Sequence, residues 1–284
     1  MSEEPGRLSD WAARTVQWWP ARTALKFGAH GVASVRGAAL RRSAEPPPWA
    51  QIFAASSPKA GSQWIKALLD HPVVRSHSGL MTLPQLDYRG RRRRLPYASF
   101  VPGMYVSYDD YSALDKPWPY RTVYIFRDPR DLVVSGYFSA VETHREMPGY
   151  EHLRDEMRSL PVGDGMMRAI ELMTPRLQEM ASWVGVDDPA VVALRLEEIG
   201  ADHAGHVRRI LDHCGFALTD AELEQVIRET SRDSLQAKDL AGRDPGAESH
   251  YRRDRRSHRE LFEPRHEKAL EEAVPGLAAR LGYV

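Results

Sequence analysis

The chain has one cysteine, Cys214, in 284 residues. That excludes an internal disulfide framework and any structural zinc site built from several thiolates. It also lacks an excess of charge of either sign, because 39 lysines and arginines face 39 aspartates and glutamates. A domain that coats nucleic acid needs surplus positive charge, so no nucleic-acid partner is expected. No apolar run approaches the roughly 20 residues of a membrane span, and the first residues lack the short apolar core of a secretory signal. A soluble protein in a reducing, cytoplasmic setting is the expectation. With 42% hydrophobic and 27% charged residues, the composition fits neither a disordered chain nor a fibrous repeat. The length suits one large domain or two small ones.

What is present begins with an uneven first segment. From Pro5 to Ala44 there are seven lysines and arginines and one acid, Asp10, with Trp11, Trp18 and Trp19 interleaved. Two readings stay open: a helical hairpin packed on the domain, or a surface helix in peripheral contact with an anionic membrane through residues 5–44. Pro46, Pro47 and Pro48 form a stiff connector. Residues 1–48 are therefore read as a basic, tryptophan-containing helical segment and 49–284 as the main domain.

In that domain, the apolar run Ile52-Phe53-Ala54-Ala55-Ser56 ends in Ser57-Pro58-Lys59-Ala60-Gly61-Ser62. Residues 63–70 then carry Trp64, Ala67 and Leu68 at helical spacing. The run Thr122-Val123-Tyr124-Ile125-Phe126 similarly meets Arg127-Asp128-Pro129, where Asp128 can cap a helix whose first residue is Pro129. Further strands are expected at 190–194 and, more weakly, at 104–107. Helices are expected at 160–185, 203–215 and 220–230, and a surface loop at 241–257. This alternation implies a three-layer α/β/α domain with a central, mainly parallel sheet. Ligands in such sheets sit beyond the strands' carboxyl ends, where both turns fall.

Residues 57–64 hold the densest chemistry. Backbone amides at a helix start, a lysine and hydroxyls make an anion cradle. A Walker loop places its lysine after the second glycine, whereas Lys59 precedes Gly61. By composition alone such a turn is as readily structural as functional.

Pro58, Lys59, Gly61 and Trp64 match the first signature of the sulfotransferases that use 3′-phosphoadenosine 5′-phosphosulfate (PAPS), approximately Tyr-Pro-Lys-Ser-Gly-Thr-Thr-Trp after a strand. The stretch from Arg127 to Ser135 resembles their second, an arginine ending a strand with a serine eight residues on. Arg195-Leu196-Glu197-Glu198-Ile199 resembles their Arg-Tyr-Glu-Asp-Leu. The resemblance covers about residues 51–284. It implies the P-loop-like nucleotide-binding sulfotransferase fold, PAPS as co-substrate, no metal, and sulfuryl transfer to a hydroxyl or amine of a small-molecule or lipid acceptor.

By that resemblance Lys59 meets the sulfuryl group and bridging oxygen and stabilises the leaving group. Gly61, Ser62 and Gln63 hold the 5′-phosphate, Trp64 stacks on adenine, and Arg127 and Ser135 hold the 3′-phosphate. An ion pair with Asp128 or Asp131 is the alternative for Arg127. Arg252 and Arg253 match the basic pair of a late nucleotide-covering loop, in which Asp254 replaces a glycine. Leu196 stands where the family has a tyrosine beside adenine. The family's cytosolic members take the acceptor's proton with a histidine in Lys-Thr-His-x-Pro. Here Tyr108 is read at the histidine position, and the expected base becomes a carboxylate, Asp109 first, with Asp110, His71 and His77 also weighed.

Other features point elsewhere. Arg89 and Arg91 to Arg94 read as a solvated loop, or as a border of an acceptor face spanning 77–115, and with the basic first segment they suggest a lipid or anionic acceptor. His203, His206 and His213 lack a companion carboxylate set, so no metal is expected. Cys214 is read as buried at a helix end. Two other classes remain: a P-loop-like small-molecule kinase using ATP, and an inactive nucleotide-binding or membrane adaptor.

Overall fold

Short apolar runs bounded by Gly, Pro and Asp turns become five strands, all parallel, in a computed structural model that describes residues 19–43, 49–85, 94–143, 150–242 and 257–283. The strands are β1 (Gln51–Ser56), β2 (Met81–Thr82), β3 (Ser99–Met104), β4 (Tyr120–Phe126) and β5 (Val191–Arg195), in the spatial order β2-β3-β1-β4-β5. β1 is buried along its whole length between β3 and β4. Alternate side chains serve opposite faces, as the pleat requires. Phe53, Ala55, Tyr124 and Phe126 enter one core, and Ile52, Ala54, Val123 and Ile125 the other.

Helices cover both faces. The first core receives α5 (Pro129–Phe138), α7 (Val162–Ala181) and α13 (Pro264–Ala273). The second receives α2 (Ser62–Leu69), α9 (His203–His213) and α10 (Asp220–Glu229). The remaining described helices are α1 (Trp19–Leu40), α3 (Pro72–Ser78), α4 (Tyr108–Ser112), α6 (Tyr150–Ser159), α8 (Leu196–Ala201), α11 (Arg232–Ala241), α12 (His258–Leu261) and α14 (Leu277–Arg280). A π-helical turn over Ser139–Thr143 continues α5. Cys214 is buried, and burial pushes its thiol up to about 12, which keeps it unreactive.

One strand departs from the sequence expectation. The run expected at 104–107 overlaps β3 only at Met104, and the strand instead contains Pro102 and Gly103. These residues read as breakers, but the pairing accommodates them. Phe53 faces Val101 while Ala55 faces Met104, so the ladder slips at the proline and at Gly103, which has φ 61°. Residues 105–107 therefore leave the sheet at its carboxyl edge.

Helix α1 lies against the domain through His30, Ala33 and Gly37, spaced for one helical face, and Arg36 donates to the carbonyl oxygens of Gly79 (2.7 Å) and Ala98 (3.4 Å). Gly37 is there because a Cβ would sit 2.4 Å from the Tyr97 carbonyl oxygen. Replacing glycine by alanine favours an isolated helix by about 1 kcal/mol, but overpacking against fixed backbone costs about 1–3 kcal/mol. Gly37→Ala is thus expected to lower stability in urea unfolding and to speed tryptic cleavage of α1. Gly31→Ala, with nothing within 4 Å of its Cβ, is expected to do the opposite.

Candidate active site

The turn after β1 is built around two left-handed residues. Gly61 has φ 85°, and a Cβ there would stand 2.8 Å from Leu196 Cδ1. Lys59 has φ 71°, an uncommon conformation for a residue with a side chain, of the sort that concentrates at working sites. Gly61 is the N-cap of α2 and offers no side-chain cap, so the first amides of that helix have no acceptor within the helix. Such an uncapped N-terminus, next to a lysine, suits an anion's oxygens.

Arg127 ends β4 and reaches across to this turn. Its Nη1 donates to the Lys59 carbonyl oxygen at 2.9 Å, joining the two turns at the carboxyl ends of adjacent strands. The side chain is buried, and burial pulls its pKa down against the pull of Asp131, Glu197 and Asp128. Neither neighbouring aspartate pairs with it. Asp128 caps α5 and takes Nε and Nη2 of Arg130 at 2.9 and 2.7 Å. Asp131 accepts from the His258 backbone amide at 2.8 Å and bonds its Nδ1 at 2.9 Å. Burial alone would raise Asp131, but these His258 bonds outweigh it and hold the carboxyl below its ordinary value. Glu197 accepts from Tyr283 Oη at 2.6 Å and from the Asp128 amide at 3.3 Å. With each carboxylate engaged elsewhere, Arg127 keeps its charge for another anion.

The other expected residues lie as follows. Lys59 Nζ donates to Ser139 Oγ at 3.1 Å. Ser62 Oγ accepts from Tyr105 Oη at 2.9 Å, while Gln63 is exposed. Ser135 is half-buried on α5. Trp64 is buried, with its Nε1 donating to the Thr230 carbonyl at 3.2 Å and its ring edge-on to His203 at 5.7 Å. Leu196 packs beside Gly61. Arg252 and Arg253 fall outside the described residues. So do Arg89 and Arg91 to Arg93, whereas Arg94 precedes β3 at the opposite end of the sheet.

Tyr108 does not reach this turn. Its ring packs against Trp183 (5.1 Å) and Tyr111 (5.9 Å), and its amide is held by Ser182 Oγ at 2.8 Å. Asp109 is exposed on α4, and Asp110 bonds Ser107, the cap of that helix. His71 and His77 bond Glu229 and Glu222. The side chain of this stretch that touches the cradle is Tyr105, three residues before the position read from sequence. Glu197, Tyr283 and His258 surround the site as well; Glu197 lies inside Arg195-Leu196-Glu197-Glu198-Ile199 and His258 near the tryptophan position of the late basic loop, whereas Tyr283 carries no local signal. Among the described residues no group of three or more His, Cys, Asp or Glu is arranged to hold a metal, and no helix is long and apolar enough to cross a membrane.

Fold and site together define a parallel α/β protein with two joined, cation-bearing turns at the carboxyl ends of β1 and β4. Residues 50–272 match the sulfotransferase domain, and the chain belongs to that family. It is 24% identical over 209 residues to cytosolic sulfotransferase 17 of Arabidopsis thaliana, a match covering 65% of this chain and 58% of that protein's length. The structure is similar to that of a mouse sulfotransferase complexed with PAP, with TM-score 0.56 and 14% identity over 81% of this chain and 84% of the other. It is also similar to a retinol dehydratase in complex with androsterone and inactive cofactor PAP, with TM-score 0.50 and 14% identity over 81% and 80% of the two chains.

His203 supports Trp64 from a half-buried position, bonded to the Ile227 carbonyl at 3.0 Å, and burial lowers its pKa below the ordinary 6.5. The unfolded chain therefore takes up this proton first as pH falls. The stability contribution is full above pH 6.5 and is lost as pH drops below it toward the folded value. Thermal melts across this range should show a shallower pH dependence in His203→Gln than in the parent protein.

Proposed function

We propose that this protein transfers a sulfuryl group from PAPS to a hydroxyl or amine of a small acceptor. The observation that carries the reading is the hydrogen bond from Arg127 to Lys59, which sets two cations around one uncapped helix start. The donor supplies an activated sulfuryl group whose transfer leaves adenosine 3′,5′-bisphosphate (PAP). In this reading Lys59 neutralises charge developing on the bridging oxygen. The amides and side chains of Gly61, Ser62 and Gln63 take the 5′-phosphate. Arg127 and Ser135 take the 3′-phosphate, assisted by Arg252 and Arg253, and Trp64 borders the base. The residues present fit a ligand with two separate anionic groups without a metal, because amides, a lysine and a buried arginine supply the positive field.

Calorimetric titration tests the donor. PAP should bind with preference over ATP and AMP, and Arg127→Ala should weaken PAP by about 1.5–3 kcal/mol, as for hydrogen bonds to a charged group. No preference for the 3′-phosphorylated nucleotide would remove the assignment and favour ATP chemistry or an adaptor role.

The acceptor's proton passes, in this proposal, to the carboxylate of Asp109 in the segment after β3, because the phenol of Tyr105 keeps its own proton and donates it to Ser62. Tyr105 touches Ser62, and Asp109 is the exposed carboxylate of α4. Comparing Tyr105→Phe with Asp109→Asn in sulfate transfer from labelled PAPS separates them. A fall in kcat of about 100-fold or more, the scale of general-base loss, is expected for Asp109→Asn, with PAP binding nearly unchanged. The same fall in Tyr105→Phe instead would move the role to the hydroxyl chain of Tyr105 and Ser62.

A further inference from the structure

The end of the sheet opposite the cradle carries a surface that the transfer reaction does not use. From Gly28 to Ala39 the exposed positions of α1 are Gly28, Gly31, Val32, Ser34, Val35, Ala38 and Ala39, none of them charged. Val32 is 62% and Val35 75% exposed. An exposed helix face is normally lined with charged and polar groups, and the one cation of this stretch, Arg36, is turned inward onto the carbonyls of Gly79 and Ala98. At the end of α1 the character changes, with Arg41 and Arg42 both exposed.

These two arginines and Arg94 line a cleft of about 660 Å³, with Pro96, Tyr97 and Pro117 among its other walls. No acidic residue lines it, and none occurs from Trp19 to Ser43. Arg41 lies over the Tyr97 ring at 5.9 Å. Trp118, which follows Pro117, is 67% exposed. Residues 94–97 lead into β3 and 117–119 into β4, so the surface belongs to the amino ends of the strands.

We propose that this face docks on an anionic lipid bilayer. Small apolar side chains on a convex helix, an exposed tryptophan and arginines that share a cleft with no acid in its described lining suit a medium that needs shallow insertion and undirected charge attraction. A protein partner would need a buried anchor seated in a pocket, and Val32 and Val35 offer none. Docked this way, the molecule turns Lys59 and Arg127 away from the lipid, and its acceptor arrives from the aqueous side. The surface and the donor site are then tested separately.

The experiment is flotation of the full chain with phosphatidylcholine vesicles, with and without phosphatidylserine. The protein should float with the serine-containing vesicles. Arg41→Ala, Arg42→Ala and Arg94→Ala combined should lower partitioning roughly 100-fold at low salt, and Val32→Ser with Val35→Ser by roughly tenfold. All five side chains are exposed, so circular dichroism and PAP titration should match the parent. Glycerophosphoserine and inorganic phosphate should not release the protein, which separates a surface from a soluble phosphate ligand. Absence of flotation, flotation unchanged by the triple arginine substitution, or release by free phosphate would each overturn the proposal.

Discussion

The bond between the guanidinium of Arg127 and the carbonyl oxygen of Lys59 is the constraint on which the site rests. It runs between turns that follow adjacent parallel strands, so it fixes the lysine's backbone where a strained φ would otherwise relax. A buried arginine that spends a hydrogen bond on a carbonyl loses solvation without gaining a counter-charge, which is costly unless the field around it is favourable. Asp128, Asp131 and Glu197 supply that field while bonded to Arg130, His258 and Tyr283. The cation is stabilised at a distance and left unneutralised at contact.

The parallel sheet keeps its two ends chemically apart. All strands point the same way, so every turn after a strand collects at one end and every turn before a strand at the other. Lys59, Arg127 and the Arg195 to Glu198 turn share the carboxyl end. Leu95 to Tyr97, Pro117 and the end of α1 share the amino end. Substitutions at one end have the length of the buried strands between them and the other.

The fold was legible where local chemistry is sharp. β1, β4 and β5 follow from short apolar runs closed by Ser57-Pro58, Asp128-Pro129 and the start of α8. Asp128 caps α5 as its side chain and the following proline require. β3 was obscured because Pro102 and Gly103 are tolerated only through a slip in the ladder, which depends on β1 and cannot be seen locally. That displacement carried into the site, putting attention on Tyr108 when Tyr105 is the residue at Ser62. Arg127 shows the same limit differently. Its pairing with Asp128 or Asp131 could be weighed from sequence, but His258, the partner that takes Asp131, comes from far along the chain. Helix α1 was legible as a helix, whereas its contact with the domain depends on Gly37 meeting Tyr97, a long-range fit.

The bond from Tyr283 to Glu197 has a consequence for synthesis. Chains fold broadly from the N-terminal side as they are made, and β1 to β5 can pair once Arg195 has emerged. Glu197, beside the Asp128 amide, acquires its Tyr283 partner only when residues nearly ninety positions later are available, and His258 reaches Asp131 only shortly before. A nascent chain thus passes through a stage in which the sheet is built while the carboxylates around Arg127 still lack these partners. At that stage Asp131 and Glu197 are freer to pair with the arginine, so its guanidinium is left without a contacting carboxylate only after residues 258–283 have docked.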